Sequence, residues 1–197
     1  MKKFWDERYA EKEFIYGKEP NEFFKARLAE LKPGKLLLPC EGEGRNAVYA
    51  ATQQWEVDAL DQSEKGKEKC IQLAKENQVS VNYQISDVAE FDFRETKYDA
   101  IALIYAHFPP DIRKNIHEKC VKALKPGGVI ILEAFNPLQL KNSSGGPKDE
   151  TLLYTIPMLK NDFTDLKIKY LENLTTNLKE GNYHSGEANI IRLIAIK

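Results

Sequence analysis

"LLLPCEGEGRNAVYA", Leu36–Ala50, is the stretch from which the fold can be read. An apolar run halts at Pro39–Cys40, Gly42 and Gly44 follow one residue apart, and a helical pattern starts at Arg45. With Ala47 the glycines complete a G-x-G-x-x-A spacing inside a strand–turn–helix unit. Glycine at such a turn allows sharp backbone reversal and close approach of another group. The helix behind it presents unpaired amides and the positive end of its dipole. A ligand is therefore expected beyond the carboxyl end of this strand, where open α/β sheets bind theirs.

Outward from that unit, strands and helices alternate. Upstream, "FWDERYAEKEF" puts Trp5 and Tyr9 on one helical face, and "NEFFKARLAEL" reads as a second helix with Pro20 as its first residue. Downstream, "WEVDALD", "VSVNYQI", "YDAIALIYA" and "GGVIILEAF" read as strands. Between them lie the helical patterns "EKGKEKCIQLAKEN", capped by Ser63, and "PPDIRKNIHEKCVKAL". Such alternation predicts a doubly wound α/β fold, a mostly parallel sheet covered on both faces. The ending breaks the rhythm. "LKIKYLENLTTNL" and "ANIIRLIAI" are strand-like and joined only by "KEGNYHSGE", a link that permits an antiparallel hairpin and no helical crossover. Seven strands with a C-terminal antiparallel hairpin are thus expected in a single domain, 1–197, with 1–33 as a helical lid.

Composition narrows the function. The 197 residues carry 29 basic and 30 acidic side chains, so no net field exists to attract a polyanion, and nucleic-acid binding is not expected. No apolar run reaches membrane-spanning length, and the start lacks the apolar core of a signal peptide. The three cysteines are far apart and without a C-x-x-C pair, as in reduced thiols of a cytoplasmic protein. Cys70 and Cys120 read as small core residues. Cys40 stands beside a helix N-terminus, a place that would lower its pKa. A small molecule is the expected partner. No metal site is evident, and the oligomeric state is open.

Two carboxylates follow the strands at the ligand end. Asp61 closes the second strand, placed either to grip a ribose diol or to cap the helix behind Ser63, and Asp87 follows the third, placed to meet an adenine amino group. The glycine turn alone suits a dinucleotide enzyme as well as a methyltransferase. "SDVAEFDF", "LKPGG" before the fifth strand and the terminal hairpin favour the second.

With these features the chain resembles the class I S-adenosylmethionine-dependent methyltransferases, most closely their tellurite-resistance and thiopurine-methyltransferase-like branch. The resemblance spans nearly the whole chain, through "W…Y…YGKEPN", "EGEGRNAVYAA", "AHFPPDIR", "LKPGG", "GGPKDETLLY" and "EGNYHSGEANIIRLIAIK". It implies S-adenosylmethionine as cofactor, with methionine contacts from Cys40, Glu41, Gly42, Gly44, Arg45 and Asn46. It further implies ribose contacts from Asp61 and Gln62, and adenine contacts from Asp87 and Val88. The sequence departs from that pattern at two places: Leu38 stands where an acid often ends the first strand, and Cys40 replaces the first glycine. Glu41 or Glu43 is placed to take over part of the acidic role.

Methyl transfer is an in-line displacement, so alignment and exclusion of water are the main tasks. Tyr105 and His107 end the fourth strand, and His184 lies in the polar link of the terminal hairpin; these three are the catalytic candidates, with His107 read equally as orienting its loop and His184 as a hairpin residue bonding its own turn. Trp5, Tyr9 and Tyr16 read either as an aromatic lid, with Tyr16 among the cofactor contacts since ring faces attract a sulfonium, or as ordinary packing. His117, mid-helix, reads as exposed. No carboxylate–histidine pair is visible, which favours a soft sulfur-, selenium- or tellurium-type acceptor that needs orientation more than a base. The alternatives are an NAD(P)-dependent oxidoreductase on a related sheet and a non-catalytic cofactor-binding sensor.

Overall fold

The structure, a computed structural model, describes residues 2–93 and 96–197. An interior strand of its sheet is β1 (Lys35–Pro39), whose Leu36, Leu37 and Leu38 are each at most 1% exposed. Burying each such side chain contributes about 1.5–3 kcal/mol. Both faces of the strand are covered, which is why the run reads as continuous rather than alternating. Around it lie β2 (Glu56–Asp61), β3 (Asn82–Ile85), β4 (Tyr98–Ile104) and β5 (Leu124–Phe135). The chain ends in β6 (Lys167–Glu180) and β7 (His184–Ile196). The sheet order is β3-β2-β1-β4-β5-β7-β6. Pairings among β1–β5 are parallel, and β7 is antiparallel to both β5 and β6.

Successive strand residues alternate between two cores. Leu37, Ile101, Leu103, Ile130 and Leu132 face α5 (Pro110–Ala123) and α6 (Ile156–Asp162). Leu36, Leu38, Ala100, Ala102 and Ile131 face α2 (Glu22–Leu28), α3 (Arg45–Thr52) and α4 (Glu64–Glu76). Cys120 and Cys70 are buried small residues of these two helical layers. The seven-stranded, doubly wound sheet with its antiparallel C-terminal hairpin is as the sequence implied.

Local differences have physical causes. The first helix, α1, covers only Lys2–Tyr9, because the chain beyond it is pinned to the glycine turn. There the Glu43 carboxylate accepts the Ile15 amide at 2.8 Å. Pro20 lies before α2 rather than in it; Asn21 is the cap and accepts the Phe24 amide at 2.9 Å. Ser63 caps α4 as expected, accepting the Gly66 amide at 3.0 Å. His117 is wholly buried, with Nδ1 2.9 Å from Asp162 Oδ2 and its ring stacked on Phe163, which overturns its reading as exposed. The hairpin link also shrinks: pairing continues to Glu180↔His184, so only Gly181–Tyr183 turns the chain. Among the described residues no helix is long and apolar enough to cross a membrane.

Candidate active site

The strand order reverses between β1 and β4, and a crevice opens beyond their carboxyl ends. It holds a cavity of about 810 Å³, within the range of small-molecule sites. Strand ends, the N-terminal segment with Trp5, Tyr9 and Tyr16, the loop around Gly145 and the hairpin turn all contribute to its wall. Because β6 runs parallel to β1–β5, its turn into β7 falls on this same side. Two non-glycine residues sit in the left-handed region here, Cys40 at φ 57° and Tyr105 at φ 53°. Such strain is held where the surroundings over-determine the backbone.

His107, Tyr105 and His184 all line the cavity, as do Cys40, Glu41, Arg45, Asn46, Asp61, Gln62, Asp87, Val88 and Tyr16. Gly42 and Gly44 do not, and the reason is informative. A Cβ on Gly42 would lie 2.5 Å from Tyr9 Oη, and one on Gly44 would lie 2.5 Å from Cys70 Cβ and 2.9 Å from Cys70 Cα. The close approach these glycines permit therefore serves α1 and α4, not a ligand.

The second and third amides of α3 are also taken up within the protein. Glu41 accepts those of Asn46 at 2.8 Å and Ala47 at 2.7 Å, and burial pushes its carboxyl up to about 7. Glu43 accepts from Ile15 N and, at 2.7 Å, from Lys69 Nζ. Both acids thus hold the turn and the segment packed on it. Asp61 is not the cap of α4, a place Ser63 takes. It lines the cavity while Oδ2 accepts the Gly42 amide at 3.1 Å and Oδ1 the Ser63 amide at 2.9 Å. Burial raises its pKa above the usual carboxylate value. Gln62 Nε2 donates to Asp87 Oδ2 at 3.1 Å, joining the ends of β2 and β3. Burial, with Asp61 and Asp87 nearby, pushes the Cys40 thiol well up, against the lowered value its place in the sequence implied.

The catalytic candidates differ in what they can still do. Nδ1 of His107 lies 2.7 Å from the Leu152 carbonyl, and Nε2 accepts the Phe135 amide at 3.2 Å. The carbonyl can only accept, so Nδ1 bears the proton and the ring is neutral; burial holds its pKa at about 4. Both nitrogens are spent on backbone. Tyr105 donates its hydroxyl to Glu133 Oε1 at 2.7 Å, and burial pushes its pKa well up. His184 packs its ring on Tyr16 and Tyr105, with centroids 4.4 and 4.5 Å away. Its Nδ1 is 3.3 Å from Glu180 Oε2, and burial, ahead of every other influence, lowers its pKa.

Sequence reasoning missed Glu180 and the expectation of no acid–histidine pair is corrected. Glu180 also accepts from Arg45 Nη2 at 2.8 Å and Asn21 Nδ2 at 2.9 Å; burial works to raise its pKa, but the His184 hydrogen bond and the Arg45 charge outweigh it and hold it at about 2. Asn21 Nδ2 donates further to Glu133 Oε1 at 2.6 Å, tying the start of α2 to β5. The signal was the spacing Glu180-Gly-Asn-Tyr-His184: a three-residue loop containing glycine sets these two residues opposite one another.

Comparison with known proteins agrees with this geometry. The family described as a methyltransferase domain matches residues 38–128. The ubiquinone biosynthesis O-methyltransferase of Rickettsia akari (strain Hartford) is 28% identical over 123 residues, 62% of this chain. That match spans about half of the curated relative, 49% of its length. Among solved structures, one described under the conversion of a disulfide bond into a thioacetal group during echinomycin biosynthesis superposes with a TM-score of 0.81. It is 16% identical and covers 100% of this chain and 91% of that one. TehB from Haemophilus influenzae gives 0.73 at 14% identity, covering 100% of this chain and 66% of TehB. Magnesium protoporphyrin IX methyltransferase from Synechocystis PCC 6803, with S-adenosylhomocysteine bound, gives 0.66 at 18% identity over 88% and 81% of the two chains. The fold is the one these solved structures share, and the Synechocystis enzyme holds S-adenosylhomocysteine in it.

Proposed function

We propose that this protein is an S-adenosylmethionine-dependent methyltransferase whose acceptor is a small molecule with a soft sulfur-, selenium- or tellurium-type nucleophile. The observation that carries the reading is the cavity beyond β1 and β4, bounded by Asp61 and Asp87 at one end and by Tyr105 and His184 at the other. On this reading the cavity's lining suits the cofactor's nucleoside end: Asp61 with Gln62 would take the ribose diol, and Asp87 with Val88 the adenine. Asn46, Arg45 and the Cys40–Glu41 backbone line the adjoining wall, where the methionine end would lie. Tyr16 contributes an aromatic face to a cation's surroundings. When bound, S-adenosylmethionine supplies an electrophilic methyl group on a sulfonium.

The protein's own task is then to orient an acceptor and exclude water. The N-terminal segment and the loop 143–148 line the mouth and serve as its cover. Two of the three candidate bases are committed elsewhere, which leaves His184 as the one side chain among them to assist and favours an acceptor that is readily ionised. His107 has no free nitrogen, and the Tyr105 hydroxyl is committed to Glu133. A nucleophile that ionises near neutral pH demands least from such a site; a thiol has a pKa of about 8.5.

An acceptor panel of thiols, selenite, tellurite and small phenols, read by release of S-adenosylhomocysteine, tests the proposal. Turnover with thiols or chalcogen oxyanions above phenols is expected. Turnover confined to neutral phenols or alcohols, and abolished by His107→Ala, would refute the soft acceptor. Binding of NAD(P) in place of S-adenosylmethionine would refute the class.

A further inference from the structure

The hairpin turn brings an acid and an imidazole together against the cavity. Glu180 and His184 are directly paired across β6 and β7, and both are largely buried. The carboxylate is over-determined: Oε1 accepts from Asn21 Nδ2, and Oε2 faces both Arg45 Nη2 and His184 Nδ1. An ionised carboxylate only accepts, so Nδ1 must carry a proton, and in the neutral ring Nε2 is then a lone-pair acceptor. Nε2 has no hydrogen-bond partner among the described residues and belongs to a side chain on the cavity wall. Gly145 lets the covering loop pass this edge, since a Cβ there would lie 2.6 Å from His184 Cδ2. Phe135, Tyr105 and Tyr16 fix the ring plane.

We infer that Glu180 is a positioning residue that holds His184 as the Nδ1–H tautomer with Nε2 toward the acceptor, and that Nε2 takes the acceptor's proton. This rests on the methyltransferase reading and deepens it. A thiol is mostly protonated at pH 7. As its sulfur takes the methyl group, the S–H proton passes to Nε2, and the sulfonium's bonding pair remains with the cofactor. The net products are a thioether, the neutral demethylated cofactor and one proton, which leaves from His184 to solvent. Glu180 stabilises the imidazolium that forms, as a buried carboxylate does in hydrolase triads. Besides Glu180, the charged and titratable groups around His184 are Arg45, Glu133, Tyr16, Tyr105 and His107. Glu180 and Glu133 raise its pKa, Arg45 lowers it, and burial lowers it most.

The first test is made on the wild-type protein without cofactor. The chain has three histidines, and in ¹⁵N imidazole NMR the signals lost in His184→Gln assign this one. The expected state at pH 7 is neutral with Nδ1 protonated; an Nε2–H tautomer would overturn the inference, whatever the protein binds. The second test uses Glu180→Gln, which keeps an oxygen acceptor for Arg45. With a thiol acceptor, kcat should fall about 10²-fold, while KM and cofactor affinity stay within about threefold. The acid limb of kcat/KM should also move to lower pH, because the carboxylate that raised the His184 pKa is gone. With a tellurite-type oxyanion, already ionised, the fall should be under about tenfold. An unmoved acid limb, or an equal loss with both acceptors, contradicts the inference while leaving cofactor binding intact. Loss of cofactor binding in the wild type would instead remove the methyltransferase reading on which it rests.

Discussion

Gly44→Ala separates two roles that a glycine turn can have. If the glycine existed to admit a ligand, the substitution would leave folding intact and abolish binding. The structure assigns it to packing. Gly44 has φ +86°, and its added Cβ would meet Cys70 Cβ at 2.5 Å and Cα at 2.9 Å, with Sγ nearer still. Left-handed backbone costs a non-glycine residue about 1–2 kcal/mol. Overpacking against helix backbone, which cannot rotate away, adds about 1–3 kcal/mol. A loss of roughly 2–5 kcal/mol follows from the two together. Urea unfolding should show it as a lower midpoint with an unchanged slope. Cys70→Ala in the same chain relieves only the sulfur contact and should restore a minor part. A stability change under about 1 kcal/mol in Gly44→Ala, accompanied by lost cofactor binding, would refute the packing argument.

Three further outcomes are expected. Asp61→Ala should weaken S-adenosylmethionine binding by about 1.5–3 kcal/mol, roughly 10- to 150-fold by calorimetry. It should also lower thermal stability, because its carboxylate holds the Gly42 and Ser63 amides; unchanged affinity in a folded variant would exclude it from the site. His107→Ala should reduce turnover by less than the ~10²–10⁴-fold of a lost general base, while lowering Tm, since the ring bridges Leu152 O and Phe135 N. Hydrogen exchange around residues 9–16 and 143–148 should slow when S-adenosylhomocysteine binds, and equal protection in both states would mark those segments as fixed packing.

How much of this was legible in the sequence depends on the range of the interactions involved. Leu36–Leu38 followed by Gly42 and Gly44 announces a buried parallel strand and a turn, because those demands are local. The Ser63 cap is equally local and was read correctly. The hairpin was visible as two strands, but its extent was not: pairing to Glu180↔His184 depends on cross-strand register, which residue types alone leave open. The same limit hid the Glu180–His184 pair, and with it Arg45, whose partner is 135 positions away. His117 was misread for a related reason. Its burial is decided by Asp162 and Phe163 arriving from α6, far along the chain. Glu41 shows a further limit, since a carboxylate beside a glycine turn can face a ligand or cap its own helix, and only the fold decides.

The central claim is that the cavity beyond β1 and β4 binds S-adenosylmethionine. Titration calorimetry on the purified protein tests it most directly, with S-adenosylhomocysteine as competitor and NAD(P) as the control ligand. The account predicts one saturable site for S-adenosylmethionine, displaced by S-adenosylhomocysteine and weakened in Asp61→Ala, with no heat from NAD(P). Saturable binding of NAD(P) with none of S-adenosylmethionine would contradict it.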